Sequence, residues 1–224
     1  MSEEYTSTID TSTMSEGQRA ALEMAEESRD TRAASGFASS LFMGVPDFGK
    51  ITPFTRQSSE DQKAGDEFIA KLDEYLKNNT DPDAIDREGE IPDHVFKGLG
   101  ELGAFGIKIP KEYGGLGLSQ TNYSRAAMLL GTWCGNLTAL LSAHQSIGVP
   151  QPLIVFGTDE QKKKYLPHCA AGGVSAFALT EVGVGSDPAK MKTTATKSED
   201  GSHFLLTGEK LWCTNLLKSR YIIV

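Results

Sequence analysis

Ser175-Ala-Phe-Ala-Leu-Thr-Glu-Val-Gly-Val-Gly-Ser-Asp187 is followed, after a hairpin-like stretch, by Gly208-Glu-Lys-Leu-Trp-Cys-Thr-Asn215. Two β-type segments thus end in hydroxyl residues, Thr180 and Thr214, beside apolar or aromatic neighbours, and the first runs straight into a glycine-rich turn. Such a surface suits a flat ring. Strand N–H and C=O groups pair with its polar edge, an aromatic covers its face, and free N–H groups of the turn meet an anionic tail. The period of two predicts strands over residues 174–180, 191–197, 204–207, 210–214 and 221–224, with Glu199-Asp200-Gly201 as a turn.

Upstream the period changes to that of helices. Ser58 is a candidate N-cap, and Ala64, Phe68, Leu72 and Leu76 recur every four residues, so a helix runs to about Lys77. Residues 78–90 read as a charged loop, and Pro92 opens a second helix carrying Val95, Phe96, Leu99 and Leu102, closed by Gly103 and Gly106. From Tyr113 to Thr158 the only formally charged residue is Arg125, which implies burial on most sides. Glycines, His144 and Gln145 interrupt every long apolar run there, so two core helices, near residues 120–134 and 137–147, are expected rather than a membrane span. Thr158-Asp-Glu-Gln161 is a capping box opening a further helix, and Gly172-Gly173 marks the boundary. Helices first and strands after make the fold class α+β: an amino-terminal all-α domain, then the start of an antiparallel β domain. The expected divisions are an acidic disordered tail over 1–35, an extended arm over 36–57 carrying Phe37, Phe48 and Phe54, a helical domain over 58–173, and an incomplete β domain over 174–224.

Composition narrows the function classes. The 224 residues carry a net charge of −8, and the first 35 hold eight acidic residues against three arginines. With no basic patch, nucleic acid is a poor partner. The start of the chain lacks a cationic region followed by an apolar run, and it is too acidic for a transit peptide. Cys134, Cys169 and Cys213 are far apart, as are the four histidines, so neither a disulfide framework nor a metal set is expected. A cytoplasmic location is the default. Gly98-Leu-Gly100-Glu-Leu-Gly103 matches a dinucleotide fingerprint, but it lies inside a helix with no strand before it, so close helix packing is the better reading. His144, on a buried helix with no nearby acid, reads as a satisfied core histidine, and residues 162–164 as a solvated lysine face.

The Thr180 and Thr214 segments together resemble the flavin-binding runs of acyl-CoA dehydrogenases, A-x-[LV]-T-E-x-x-x-G-S-D followed by W-x-[TS]-N. Leu99-Gly-Glu-Leu-Gly-Ala-Phe-Gly-Ile107, Tyr113-Gly-Gly-Leu-Gly117, Ala143-His-Gln-Ser-Ile-Gly148 and Gln161-Lys-Lys-Lys-Tyr-Leu-Pro167 extend the likeness. They are similar above all to the very-long-chain branch. The resemblance implies FAD as cofactor, with Phe177, Leu179 and Thr180 lining the ring, Trp212 over one face, Cys213 within the same run, and the Thr214 hydroxyl at N5. Ser186 would contact the CoA part of the substrate. The implied reaction is α,β-dehydrogenation of a fatty acyl-CoA, in a homo-oligomer, with electrons leaving to an electron-transfer flavoprotein. The family's proton-abstracting glutamate lies in a carboxyl-terminal domain, so no catalytic base is assigned here. The chain is expected to be the amino-terminal part of such an enzyme and inactive alone. Val182 stands where the family usually has proline, and Leu216 where it usually has glycine. The alternatives are a short, non-catalytic protein binding acyl-CoA or a partner, and an acyl-CoA oxidase-like flavoenzyme.

Overall fold

The computed structural model describes residues 36–42, 44–54 and 56–224, together with residues 12, 14, 17, 19, 20, 22 and 23. The acidic tail over 1–35 falls largely outside the described residues. The chain divides into two compact units, one of Met1–Arg56 with Ser186–Met191, the other of Gln57–Gly185 with Lys192–Val224. In the first unit the arm is not extended throughout: α1 spans Phe37–Phe42 and a 3-10 turn spans Phe48–Lys50. The rings of Phe37 and Phe48 meet with centroids 5.7 Å apart, which folds the arm on itself.

The second unit begins with α2, Ser59–Asn79, capped by the Ser58 hydroxyl accepting from Asp61 N–H, with Glu60 and Asp61 set against the helix dipole. Phe68, Leu72 and Leu76 point inward as their four-residue spacing requires. The expected loop over 78–90 instead holds a helix, α3, Pro82–Glu88. Its signals are local: Asp81 accepts from Ala84 N–H at 3.0 Å, Pro82 fills the first turn, and Gly89 closes it at φ 70. Charge hid them, because only Ile85 of this helix is buried.

Next come α4 (Asp93–Glu101), α5 (Gln120–Trp133) and α6 (Gly135–Ser142), the last running into a π-helical turn, Ala143–Ile147. Close helix packing explains the glycine pattern. A Cβ on Gly98 would stand 2.0 Å from Tyr75 Oη, and one on Gly65 would stand 2.0 Å from Asn122 Oδ1. Arg125, alone among uncharged neighbours, pairs with Asp66 of α2. A helix absent from the sequence reading, α7 (Pro150–Phe156), precedes α8 (Asp159–Ala170), whose capping box between Thr158 and Gln161 is formed in both directions. Leu72, Leu76, Ile85, Leu99, Phe105, Leu130 and Leu137 make one buried cluster. Among the described residues no helix is long and apolar enough to cross a membrane.

The strands are short: β1 (Ser175–Phe177), β2 (Thr194–Lys197), β3 (Phe204–Thr207) and β4 (Tyr221–Ile223). The antiparallel pairing expected throughout holds for β2–β3, with Gly201 at φ 70 in the turn. β1 and β4 instead run parallel, Ser175 opposite Tyr221 and Phe177 opposite Ile223. The long excursion between them supplies the crossover that parallel strands require. Residues 210–214, expected as a strand, form a loop and turn.

Candidate functional site

β1 leaves the helical core and delivers Phe177, Leu179 and Thr180 to a half-buried edge. Ala178 N–H still bonds to β4, donating to Ile223 O at 2.8 Å. Beyond it the chain meets the second segment directly: Leu211 N–H donates to Thr180 O at 2.8 Å, and Lys210 Nζ donates to Leu179 O at 3.0 Å. The two motifs, 31 residues apart in sequence at these contacts, are therefore adjacent.

Glu181 locks them. Its side chain, 6% exposed, accepts from Lys210 Nζ at 2.8 Å, from Lys192 N–H at 2.7 Å, and from the N–H and hydroxyl of Thr193. The Lys210 ammonium first, then the Thr193 hydroxyl and the Lys192 amide, hold this carboxylate down to about 2. It is thus a permanent anion with its lone pairs occupied, unsuited to proton transfer at neutral pH. Its backbone closes the glycine turn, donating to and accepting from Val184 at 3.0 Å, with Gly183 at φ 78. Val182 in place of proline leaves that turn formed.

Residues 212–215 make an unusual turn. Trp212 has φ 57 and Asn215 φ 71, in the left-handed region that a bulky residue rarely occupies. Such a conformation costs on the order of 1–3 kcal/mol and persists only where its surroundings impose it. It presents the Trp212 indole outward, 86% exposed, with the Thr214 hydroxyl exposed and Cys213 half-buried between them. Neither the indole N–H, the Thr214 hydroxyl, nor the backbone N–H groups of Leu179 and Thr180 has a partner among the described residues.

That donor set fits the flavin implied by the resemblance. Two adjoining amides can serve the carbonyls of a ring edge, one indole can cover a face, and one hydroxyl can serve a ring nitrogen. Ser186 belongs to the other compact unit, where it is exposed at the start of the segment Ser186–Met191.

His144 is fully buried. Ser175 N–H donates to Nδ1 at 3.0 Å, and Nε2 lies 3.0 Å from Phe105 O. A carbonyl only accepts and an amide only donates, so the ring is the neutral tautomer carrying its hydrogen on Nε2. Burial pushes its pKa down to about 4. It is a bonded core histidine that fixes the start of β1.

Sequence reading missed Glu181, Thr193, Lys210 and Asn215 as organising residues. The detectable signal was a charge set close to each hydroxyl run, Glu181 directly after Thr180 and Lys210 two residues before Trp212. Opposite charges in two half-buried segments call for pairing.

The sequence profile of the acyl-CoA dehydrogenase N-terminal domain matches residues 59–173, and that of the acyl-CoA dehydrogenase middle domain matches residues 176–224. A protein of Mycobacterium tuberculosis named probable acyl-CoA dehydrogenase FadE10 is 50% identical over 202 residues, covering 90% of this chain and 31% of that protein. The mouse mitochondrial very long-chain specific acyl-CoA dehydrogenase is 37% identical over 190 residues, covering 84% of this chain and 29% of that protein. Among solved structures, an acyl-CoA dehydrogenase from Bacillus anthracis complexed with FAD superposes with a TM-score of 0.66 at 37% identity, over 75% of this chain and 28% of that one. The chain thus spans under a third of the length of these relatives.

Proposed function

Because the chain belongs to the acyl-CoA dehydrogenase family, we propose that it forms the flavin edge of an FAD-dependent enzyme that dehydrogenates fatty acyl-CoA thioesters between the α- and β-carbons. The observation that carries this is the donor set of Leu179, Thr180, Trp212 and Thr214, which has no partner among the described residues and is held in place by Glu181 and Lys210. Bound FAD supplies an acceptor for the β-hydride. Residues 179 and 180 hold the ring's polar edge, with Phe177 and Leu179 against its apolar surface. Trp212 and Cys213 cover one side, and the Thr214 hydroxyl donates where negative charge develops, which is preorganised electrostatic stabilisation. Ser186 contacts the CoA portion.

None of these side chains is a base for the α-proton: Glu181 is consumed by its ion pair and His144 by its core contacts. That base belongs to the carboxyl-terminal part of the family's fold, so residues 1–224 by themselves are inactive. The working protein is a homo-oligomer in the cytoplasm that passes electrons to an electron-transfer flavoprotein. The likeness to the mouse enzyme supports long acyl chains as substrates.

Anaerobic mixing of the complete FAD-loaded chain with acyl-CoA thioesters of increasing length tests the reading. Bleaching of flavin absorbance, fastest with long chains, is the expected result. An oxidised flavin that no acyl-CoA reduces would overturn it.

A further inference from the structure

One amide side chain joins the outward-facing turn to two other parts of the fold. Asn215 Nδ2 donates to Leu140 O of α6 at 3.0 Å and to Ser175 O of β1 at 3.4 Å. Ser175 is itself held, its N–H on His144 Nδ1 at 3.0 Å and its Oγ accepting from Val149 N–H at 3.0 Å. The carbonyls that receive Asn215 are therefore fixed points of the helical core and of the strand that carries Phe177 and Thr180.

We propose that Asn215 is a positioning residue for the flavin face, setting where the Trp212 ring and the Thr214 hydroxyl stand relative to β1 while touching no flavin atom itself. The proposal rests on the flavin reading given above. Two features separate it from a plain turn residue. A left-handed φ alone asks for glycine, which adopts it without a side chain. The Asn215 amide bonds neither its own backbone nor its neighbours, as local turn asparagines do; both bonds go to elements far away in sequence. They hold the turn in place rather than in shape. Placement matters because a catalytic donor displaced by about 1 Å loses most of its effect.

The test uses the complete chain with every tryptophan other than Trp212 replaced by phenylalanine, Trp133 among them. Asn215→Gly keeps the left-handed backbone and removes both bonds. Asn215→Asp keeps the shape but turns a carboxylate towards two carbonyls. Without FAD, amide exchange in residues 210–217 should quicken roughly tenfold in the glycine variant, the ratio expected for losing about one buried hydrogen bond, and more in the aspartate variant. With saturating FAD, Trp212 fluorescence should be strongly quenched in the parent, less in the glycine variant and least in the aspartate variant.

A glycine variant matching the parent in both measurements would mean that Asn215 serves only the turn's shape, and the proposal falls. Faster exchange with unchanged quenching would mean that the anchor does not reach the flavin face, which also overturns it. A parent whose Trp212 is not quenched by FAD would instead fail the flavin reading, and the positioning role with it. The exchange arm would still report whether the anchor exists.

Discussion

The helical half of the second unit and its strand half solve opposite problems. From α2 to α8 apolar side chains face one another: Leu72, Leu76, Phe105 and Leu137 are fully buried, and even Asn122, His144 and Gln145 are enclosed with their polar atoms bonded. From β2 onward the pattern reverses. Phe204, Leu205, Leu206 and Trp212 are all more than half exposed, and β2 and β3 bury no residue. A core made of helices closes on itself, whereas the strands keep flat apolar and hydrogen-bonding surface available. The junction between them is polar, made by His144, Ser175 and Asn215.

The sharpest way to break this contrast is to truncate one leucine on each side. Leu72→Ala in α2 should cost about 3–5 kcal/mol by urea unfolding, from lost burial and a cavity. Leu206→Ala in β3, already exposed, should stay within about 0.5 kcal/mol. Comparable losses would mean that the strands share the helical core.

Acid sharpens the junction. His144 titrates near 4 when folded against an ordinary 6.5, so between those values the unfolded chain binds more protons than the native one. Stability therefore falls as pH drops from 6.5 to 4, by about 3 kcal/mol from this group. His144→Asn should flatten that part of the profile in pH-dependent unfolding, and an unchanged slope would assign it to other groups. Glu181 acts lower: its contribution is present above 4.5 and is lost as pH falls through about 2.

On the strand side the effects are catalytic. Thr214→Val in the complete enzyme should leave FAD bound but slow its reduction by acyl-CoA, by an amount corresponding to roughly 1–3 kcal/mol; an unchanged stopped-flow rate would remove Thr214 from N5. The smallest effect is expected at Ser186. Ser186→Ala should raise KM for long acyl-CoA several-fold with little change in kcat, as for a contact to a non-reacting part of the substrate. A collapse in kcat at constant KM would place it in the chemistry.

Most of the helical architecture is legible in the sequence. Ser58, the capping box at Thr158 and the four-residue apolar rows announce helices because caps and periodicity are local. The parallel pairing of β1 with β4 was not legible, since nothing in a short alternating run states which distant strand lies alongside. Residues 210–214 read as a strand because Leu, Trp, Cys and Thr favour one. Tertiary bonds override that preference here: Lys210 is drawn to Glu181 and Asn215 to Leu140, forcing Trp212 through a left-handed turn. The resemblance singled out two distant segments, and the structure brings them side by side; the residues that organise them, Glu181, Lys210 and Asn215, were seen only in three dimensions.

Amide hydrogen exchange of the complete chain with and without FAD tests the central claim most directly. The N–H groups of Leu179 and Thr180, which donate to nothing among the described residues, should become strongly protected when FAD binds, while α2 and α5 change little. Protection confined to other segments, with residues 179 and 180 exchanging as fast as before, would contradict the flavin edge on which the account stands.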